Sequence, residues 1–201
     1  MELELSQMLI LFACVFLGGL VDSIAGGGGL ITLPAYYAVG IPAHMALGTN
    51  KFANSIGTLT ALLRFLKEGQ INIKVALVAA LGALVGSPLG AQLAMALDEK
   101  YLNYILLGAV PVIAVLVLGI IKACGTTKVV NLASNVGALI TYGMNGNVLV
   151  GIGIKCTIFA ILGSWVGSGL ALKNGAKIVR PIMIVAMLLL LLKIASDMFL
   201  G

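Results

Sequence analysis

The sequence predicts an all-α integral membrane protein, a polytopic helical bundle built on an internal repeat. Three observations predict it. Only 9% of the residues are charged, 61% are hydrophobic and mean hydropathy is +1.15. A water-soluble domain carries about 25% charged residues, so this chain cannot present a water-facing surface over most of its area. Apolar stretches of about 20 residues, the length that spans hydrocarbon, follow one another along the chain. Finally, the chain matches itself when slid by 77 residues.

Eight hydrophobic segments are legible: 8–26, 30–47, 50–66, 72–96, 101–122, 127–143, 147–171 and 178–199. The second is short and holds Pro34 and Pro42. It is expected to be a re-entrant or broken helix, which is tolerated only where protein or a water-filled cavity covers the backbone. If it does not cross, seven spans remain. The N-terminal "MELELSQ" has two glutamates and no Lys or Arg. A secretory signal wants a positive start and a small-residue cleavage site, so 8–26 is expected to be a retained span.

The 77-residue shift lays "GTNKFAN" at Gly48 on "GTTKVVN" at Gly125, Gly69 on Gly146, and "GSPLG" at Gly86 on "GSWVG" at Gly163. Without a gap, 13 of the 47 pairs from Gly48–Ala94 onto Gly125–Ala171 are identical. Composition bias alone would give roughly a tenth. Lys100 falls on Lys177 in the same register. The chain is thus expected to be one transmembrane domain, 1–201. It would comprise a Gly-rich opening hairpin, 1–47, and two three-helix units, 48–122 and 125–199.

Turn charges suggest how the units lie. Arg64, Lys67 and Lys74 outweigh Glu68 in one turn, and Asp98, Glu99 and Lys100 make the next one non-basic. Lys122 and Lys128 mark a basic turn, 144–147 carries no charge, and Lys173, Lys177 and Arg180 mark another basic one. Basic and non-basic turns alternate, as the positive-inside rule requires. Equivalent turns of the two units differ in character, so the units are expected to be inverted. With segments 1 and 2 both crossing, both termini lie outside. Inverted repeats with broken helices at the midplane are the architecture of secondary transporters.

The stretch "GGLVDSIAGGGGLITLP", residues 18–34, interrupts the first hairpin. Asp22 precedes the glycine run by four residues. A carboxylate inside a bilayer faces a cavity or a partner. It serves either as a coupling or gating group or as a helix-end charge paired with a base. Gly26, Gly27, Gly28 and Gly29 supply either backbone amides aimed at an anion or close helix packing. Lys51 with Asn54, and Lys128 with Asn131, are equivalent pairs spaced i to i+3, hence on one helix face. Each follows Gly-Thr, with Thr49 or Thr126 as an expected helix cap. The two lysines could converge on an anion, or each could snorkel to its nearest interface. The asparagines contact the anion or hold helices together. These eleven residues, Asp22, Gly26, Gly27, Gly28, Gly29, Thr49, Lys51, Asn54, Thr126, Lys128 and Asn131, are the candidate substrate-binding set.

Other features read as structural. Gly86 with Gly90, and Gly163 with Gly167, are small-xxx-small pairs expected at helix contacts. Pro88 should kink its helix. The lone His44 sits near a proline and is either structural or a titrating group. Cys14, Cys124 and Cys156 have no metal-ligand spacing and read as small apolar fillers. Tyr101 and Tyr104 look like interfacial anchors, and Trp165 with the five tyrosines is too little for an aromatic cage. No basic patch is interleaved with aromatics, so the net charge of +5 points to loops and lipid head groups, not nucleic acid. No HExxH, GxSxG or paired metal carboxylates occur, so an intramembrane enzyme is disfavoured and no cofactor is expected.

"GGLVDSIAGGGGLITLPA", "GTNKFANSIGT" and "GTTKVVNLASN", in that order, closely resemble the TauE/SafE family of membrane proteins, the sulfite-exporter or four-toluene-sulfonate-uptake permeases, and most of all its YfcA-like branch. The resemblance covers nearly the whole chain. It implies a multi-pass permease of the bacterial inner membrane that moves a small anion, such as sulfite or an organosulfonate. The chain departs from the family pattern at one place. The first unit has 47 residues before Gly48, whereas only Ala123 and Cys124 separate Lys122 from Gly125. Roughly forty-five residues, a second opening hairpin, are missing by the chain's own repeat arithmetic. Two expectations therefore stand: an anion permease, or a truncated membrane protein of the same family that is non-transporting or depends on a partner, a homo-oligomer or an intact paralogue.

Overall fold

Hydrocarbon offers no partner to a peptide N–H or C=O, so each apolar segment must close its own hydrogen bonds as a helix. The computed structural model describes residues 3–97, 124–174, 181 and 185. The chain elements among them are helical: α1 (Leu5–Ala25), α2 (Gly29–Ala38), α3 (Ala43–Lys67), α4 (Ile73–Ala96), α5 (Cys124–Met144) and α6 (Val150–Asn174). The expected segments 101–122 and 178–199, with Tyr101, Tyr104, Lys177 and Arg180, lie outside the described residues.

The second expected segment is split. α2 has only 10 residues, about 15 Å of helix, too short to cross. It ends at Ala38 with Val39 as its C-cap, Gly40 takes a φ of 82°, and Pro42 stands at the start of α3. Proline fits there because its missing N–H has no partner in a first turn. α3 therefore begins seven residues before the expected position 50, and Thr49 lies inside it. α4 continues through Pro88 as a helix.

Three of the described helices are long and apolar enough to cross a membrane: Leu5–Ala25, Ile73–Ala96 and Val150–Lys173. α3 and α5 have the length but carry Thr, Asn and Lys. Thr49, Asn50, Asn54 and Thr58 on α3, and Thr126, Lys128, Asn135 and Thr141 on α5, are buried, which keeps them from lipid.

Glycines set the helix spacing. On α6, a Cβ at Gly163 would meet the Phe16 carbonyl, and one at Gly167 would meet Ser23 Oγ and the Leu20 carbonyl. Rising numbers meet rising numbers, so α1 and α6 run parallel in close contact. Ser164 Oγ donates to the Gly19 carbonyl at 3.4 Å across the same seam. The expected contact at Gly163 and Gly167 is therefore present. At Gly86 and Gly90 it is not seen: an added Cβ would meet nothing within 4 Å among the described residues. That face of α4 is open to them, with Val78, Val85 and Leu89 exposed beside it.

α3 packs against both α5 and α6, and α4 packs against α5. Gly48, early in α3, abuts Asn147 and Tyr142 at the end of α5, while Gly125 at the start of α5 abuts Gln70 beyond the end of α3. The two helices are thus antiparallel. Leu11, Val15, Tyr36, Ala46, Ala53, Cys156 and Ala160 form the main apolar core between α1, α2, α3 and α6. Cys156 is buried there, as a filler should be.

The expected helix caps at Thr49 and Thr126 are corrected by the structure. Neither hydroxyl caps its own helix. Thr49 Oγ1 accepts from the Leu149 N–H at 2.9 Å, just ahead of α6. Thr126 Oγ1 accepts from the Asn72 N–H at 3.1 Å, just ahead of α4. The reason is geometric: a cap must precede the first turn, and Thr49 is already a turn and a half inside α3. Each threonine instead satisfies an orphan amide on the helix packed beside it.

Candidate functional site

Asp22 sits in the last turn of α1. That helix stops because Gly26 and Gly27 adopt φ of 80° and 84°, a region that side-chain-bearing residues rarely enter. The chain then folds straight back. A Cβ on Gly28 would lie 2.7 Å from the Asp22 Cβ and would strike the Gly18 carbonyl. Only glycine permits this approach. It brings the Gly28 N–H to 3.3 Å from Asp22 Oδ1, so the carboxylate faces the amino end of α2, where the helix dipole favours negative charge.

Lys128 of α5 reaches the same residue. Its Nζ donates to the Asp22 backbone carbonyl and lies 4.0 Å from Asp22 Oδ2. The side chain is buried, the residue 1% exposed. A lysine on its way to the interface would be exposed at its tip, so the snorkelling alternative is overturned for Lys128. The paired alternative for Asp22, a carboxylate beside a base, is what the structure contains.

From Asp22 a chain of hydrogen bonds runs through the protein to the second lysine. The Thr58 hydroxyl donates to Asp22 Oδ2 at 3.5 Å. Asn135 Nδ2 donates to Thr58 Oγ1 at 3.4 Å. Lys51 Nζ donates to Asn135 Oδ1 at 3.0 Å. Lys51 and Thr58 are seven residues apart on α3, about 10 Å along the helix axis. The two ammonium groups thus stand at the two ends of one polar line, Lys51–Asn135–Thr58–Asp22–Lys128. Beside it, Asn50 Oδ1 accepts from Asn54 Nδ2 at 3.1 Å and lies 2.7 Å from Thr32 Oγ1. Thr32 Oγ1 is also 3.2 Å from the Gly28 carbonyl, and its one proton serves either acceptor.

The line carries two cations and one anion, so one positive charge within it has no counter-charge. Its free valences are mostly donors. Such an arrangement can hold a small anion by charge-assisted hydrogen bonds. Among the described residues, no group of three or more His, Cys, Asp or Glu could hold a metal ion.

The structure gathers Asp22, Gly28, Lys51 and Lys128, with Gly26, Gly27 and Gly29 making the fold-back. Asn54 joins through Asn50. Asn131 stands next to the break, its Nδ2 3.9 Å from where a Cβ on Gly26 would lie. Thr49 and Thr126 are not in the network. His44 does not join it either, and its Nδ1 is buried without a hydrogen-bond partner. Four members escaped sequence reading: Thr32, Asn50, Thr58 and Asn135. A signal for two of them exists. Thr58 follows Lys51 by seven residues and Asn135 follows Lys128 by seven, the spacing of one helix face.

The description "Sulfite exporter TauE/SafE" belongs to the family that matches residues 11–122 and 106–194. A "Probable membrane transporter protein ORF9" from Sinorhizobium sp is 31% identical, over 98% of this chain and 95% of that protein. A "Probable membrane transporter protein" of Haemophilus influenzae is 25% identical over 98% of both chains. "Probable membrane transporter protein YfcA" of Escherichia coli is 25% identical over 94% of this chain and 89% of its own length. The Sinorhizobium alignment runs over 248 positions while taking in 98% of a 201-residue chain. About fifty positions of it therefore face a gap here, close to the length the repeat arithmetic finds missing. No solved structure matches the chain.

Proposed function

The chain belongs to the Sulfite exporter TauE/SafE family of membrane transporters, and from that premise we propose that it is a multi-pass permease for a small anion, sulfite or an organosulfonate, in the bacterial inner membrane. The observation that carries the reading is the line of buried and partly buried polar groups joining Lys51 to Lys128 past the break at Gly26–Gly28. A positive charge left without a counter-charge inside a membrane protein is costly unless a ligand compensates it. An anion supplies that compensation.

The reading includes two inverted units around the site. Contacts related by the 77-residue shift support it. Thr49 with Leu149 answers Thr126 with Asn72. Gly48 against Asn147 answers Gly125 against Gln70. Ser164 against Gly57 answers Ser87 bonded to the Ser134 carbonyl at 2.6 Å. Each unit lends its second helix to the first helix of the other. Alternating access would rock one unit against the other.

One observation favours a second reading, a chain that needs a partner. The Sinorhizobium alignment leaves about fifty of its positions without a partner here, close to the length of a second hairpin. Gly163 and Gly167 seat α1, while their equivalents Gly86 and Gly90 meet nothing among the described residues.

Thermal unfolding of the purified protein with sulfite, sulfoacetate, taurine, sulfate or acetate tests the first reading. A ligand at 100 times its Kd stabilises the folded state by about 2.7 kcal/mol. One sulfur anion should raise Tm by several degrees, and Lys51→Ala should abolish the rise. No rise with any of the five, in a well-folded sample, speaks for the second reading.

A further inference from the structure

Resting on that anion-site reading, we infer that Asp22 is a resident anion: its carboxylate occupies the donors that a transported anion takes, and substrate binds by displacing it. Three things carry this. The carboxylate stands where an incoming anion would be placed on general grounds, at the amino end of a half-buried helix exposed by a glycine break, with the Gly28 N–H 3.3 Å from Oδ1. It is the single carboxylate of the network, and both an ammonium and a hydroxyl converge on its other oxygen, Lys128 Nζ at 4.0 Å and Thr58 Oγ1 at 3.5 Å. The donors are also finite. Gly28 has one N–H, and a second anion at this spot would stand within a few ångströms of the carboxylate and be repelled.

Lys128 differs from Lys51 in the way this requires. Among the described residues, Lys51 Nζ donates to a neutral carboxamide oxygen, at 3.0 Å. Lys128 is engaged by Asp22 twice, through the backbone carbonyl and the carboxylate. The site therefore has one cation ready for a ligand and one withheld. Displacing the carboxylate frees the α2 amide and takes the counter-charge from Lys128, whose bond to the Asp22 backbone carbonyl remains. Asp22 thus sets how tightly the site holds its anion and lowers that affinity, the opposite of a direct substrate ligand.

The test is anion affinity, by calorimetric titration of the purified full chain with sulfite, for wild type, Asp22→Asn, Lys128→Gln and Lys51→Gln. Asparagine keeps an oxygen for the Gly28 N–H and removes only the charge. Asp22→Asn is expected to bind sulfite at least tenfold more tightly than wild type. Lys128→Gln should weaken binding, and the double variant Asp22→Asn/Lys128→Gln should return to within a few-fold of wild type. Retained elution volume and helical signal check that each variant folds. Unchanged or weaker binding by a folded Asp22→Asn, with Lys51→Gln still abolishing it, overturns the resident-anion inference and leaves the anion site standing. Binding by neither wild type nor Asp22→Asn overturns both together. Should Asp22→Asn misfold, Asp22→Ser provides the same comparison, with tighter binding again expected.

Discussion

Replacing Lys128 with methionine leaves Asp22 as a largely buried carboxylate without its cation. Methionine keeps most of the length and the apolar stem of lysine, so the change is close to a removal of charge. Lys128 Nζ lies 4.0 Å from Asp22 Oδ2, with side-chain exposures of 2% and 14%. Two unit charges at that distance interact by about 4 kcal/mol at an effective dielectric of about 20. Breaking one side of a buried pair costs about 3–5 kcal/mol by mutational experience. The two figures agree, and a loss of about 3–5 kcal/mol is expected. For about 200 residues, each kcal/mol moves Tm by about 2–4 °C, so the variant should unfold on the order of 10 °C below wild type. Asp22→Asn in the same chain removes the orphaned charge, and the double variant should recover at least half of the loss. The assay is thermal unfolding in detergent followed by the emission of Trp165, the single tryptophan. A Lys128→Met Tm within about 2 °C of wild type would refute the buried-pair reasoning. So would a double variant less stable than Lys128→Met.

Two further outcomes follow from packing. Gly163→Leu should destabilise the protein by about 3 kcal/mol or more, because its Cβ falls on the Phe16 carbonyl and Leu20 amide of the α1 backbone, at the upper end of overpacking costs. The equivalent Gly86→Leu on α4 meets no such backbone among the described residues and should cost far less than Gly163→Leu in the same melt, helix propensity favouring leucine by about 0.5–1 kcal/mol. Arg64 donates to the Trp165 carbonyl at 2.6 Å and lies 4.7 Å from its ring centroid. Arg64→Ala should cost about 2 kcal/mol and shift the Trp165 emission maximum. Arg64→Lys should recover little, since an ammonium cannot stack flat on the ring. An unshifted spectrum would show that the ring does not feel this cation.

The spans that burial alone dictates were legible. Segments 8–26, 72–96 and 147–171 correspond to α1, α4 and α6 within a few residues, because a bilayer selects for length and apolarity and both are visible in a string of letters. α3 was misplaced at its start. Pro42 marks the break in the second segment, and a proline at a helix start is compatible with twenty-five residues of helix beyond it. Of the site, Asp22 and the glycine run announced themselves by being costly in hydrocarbon. Asn135 and Thr58 did not, since an isolated Asn or Thr in an apolar helix has many structural uses. Thr49 and Thr126 were conspicuous for their repeat context, and that same context disguised their role. Their acceptors serve the neighbouring helix, a partnership no local pattern contains.

By itself the sequence determined that the chain lives in a membrane, that its helices break at a glycine-rich carboxylate, and that one segment of it echoes another 77 residues on. Composition, local geometry and self-similarity are properties of neighbours in the chain, and the letters hold them all. Only the tertiary structure decided which base Asp22 meets. Lys51 and Lys128 are equivalent by sequence, yet Asp22 engages Lys128 while Lys51 turns to Asn135. The choice depends on where α1 comes to rest. It lies along α6 because glycines at 163 and 167 let two backbones touch, and that seat sets its last turn beside the start of α5. Close packing over 145 residues of sequence separation, as between Gly19 and Ser164, is a cooperative property of the assembled bundle and of no single segment.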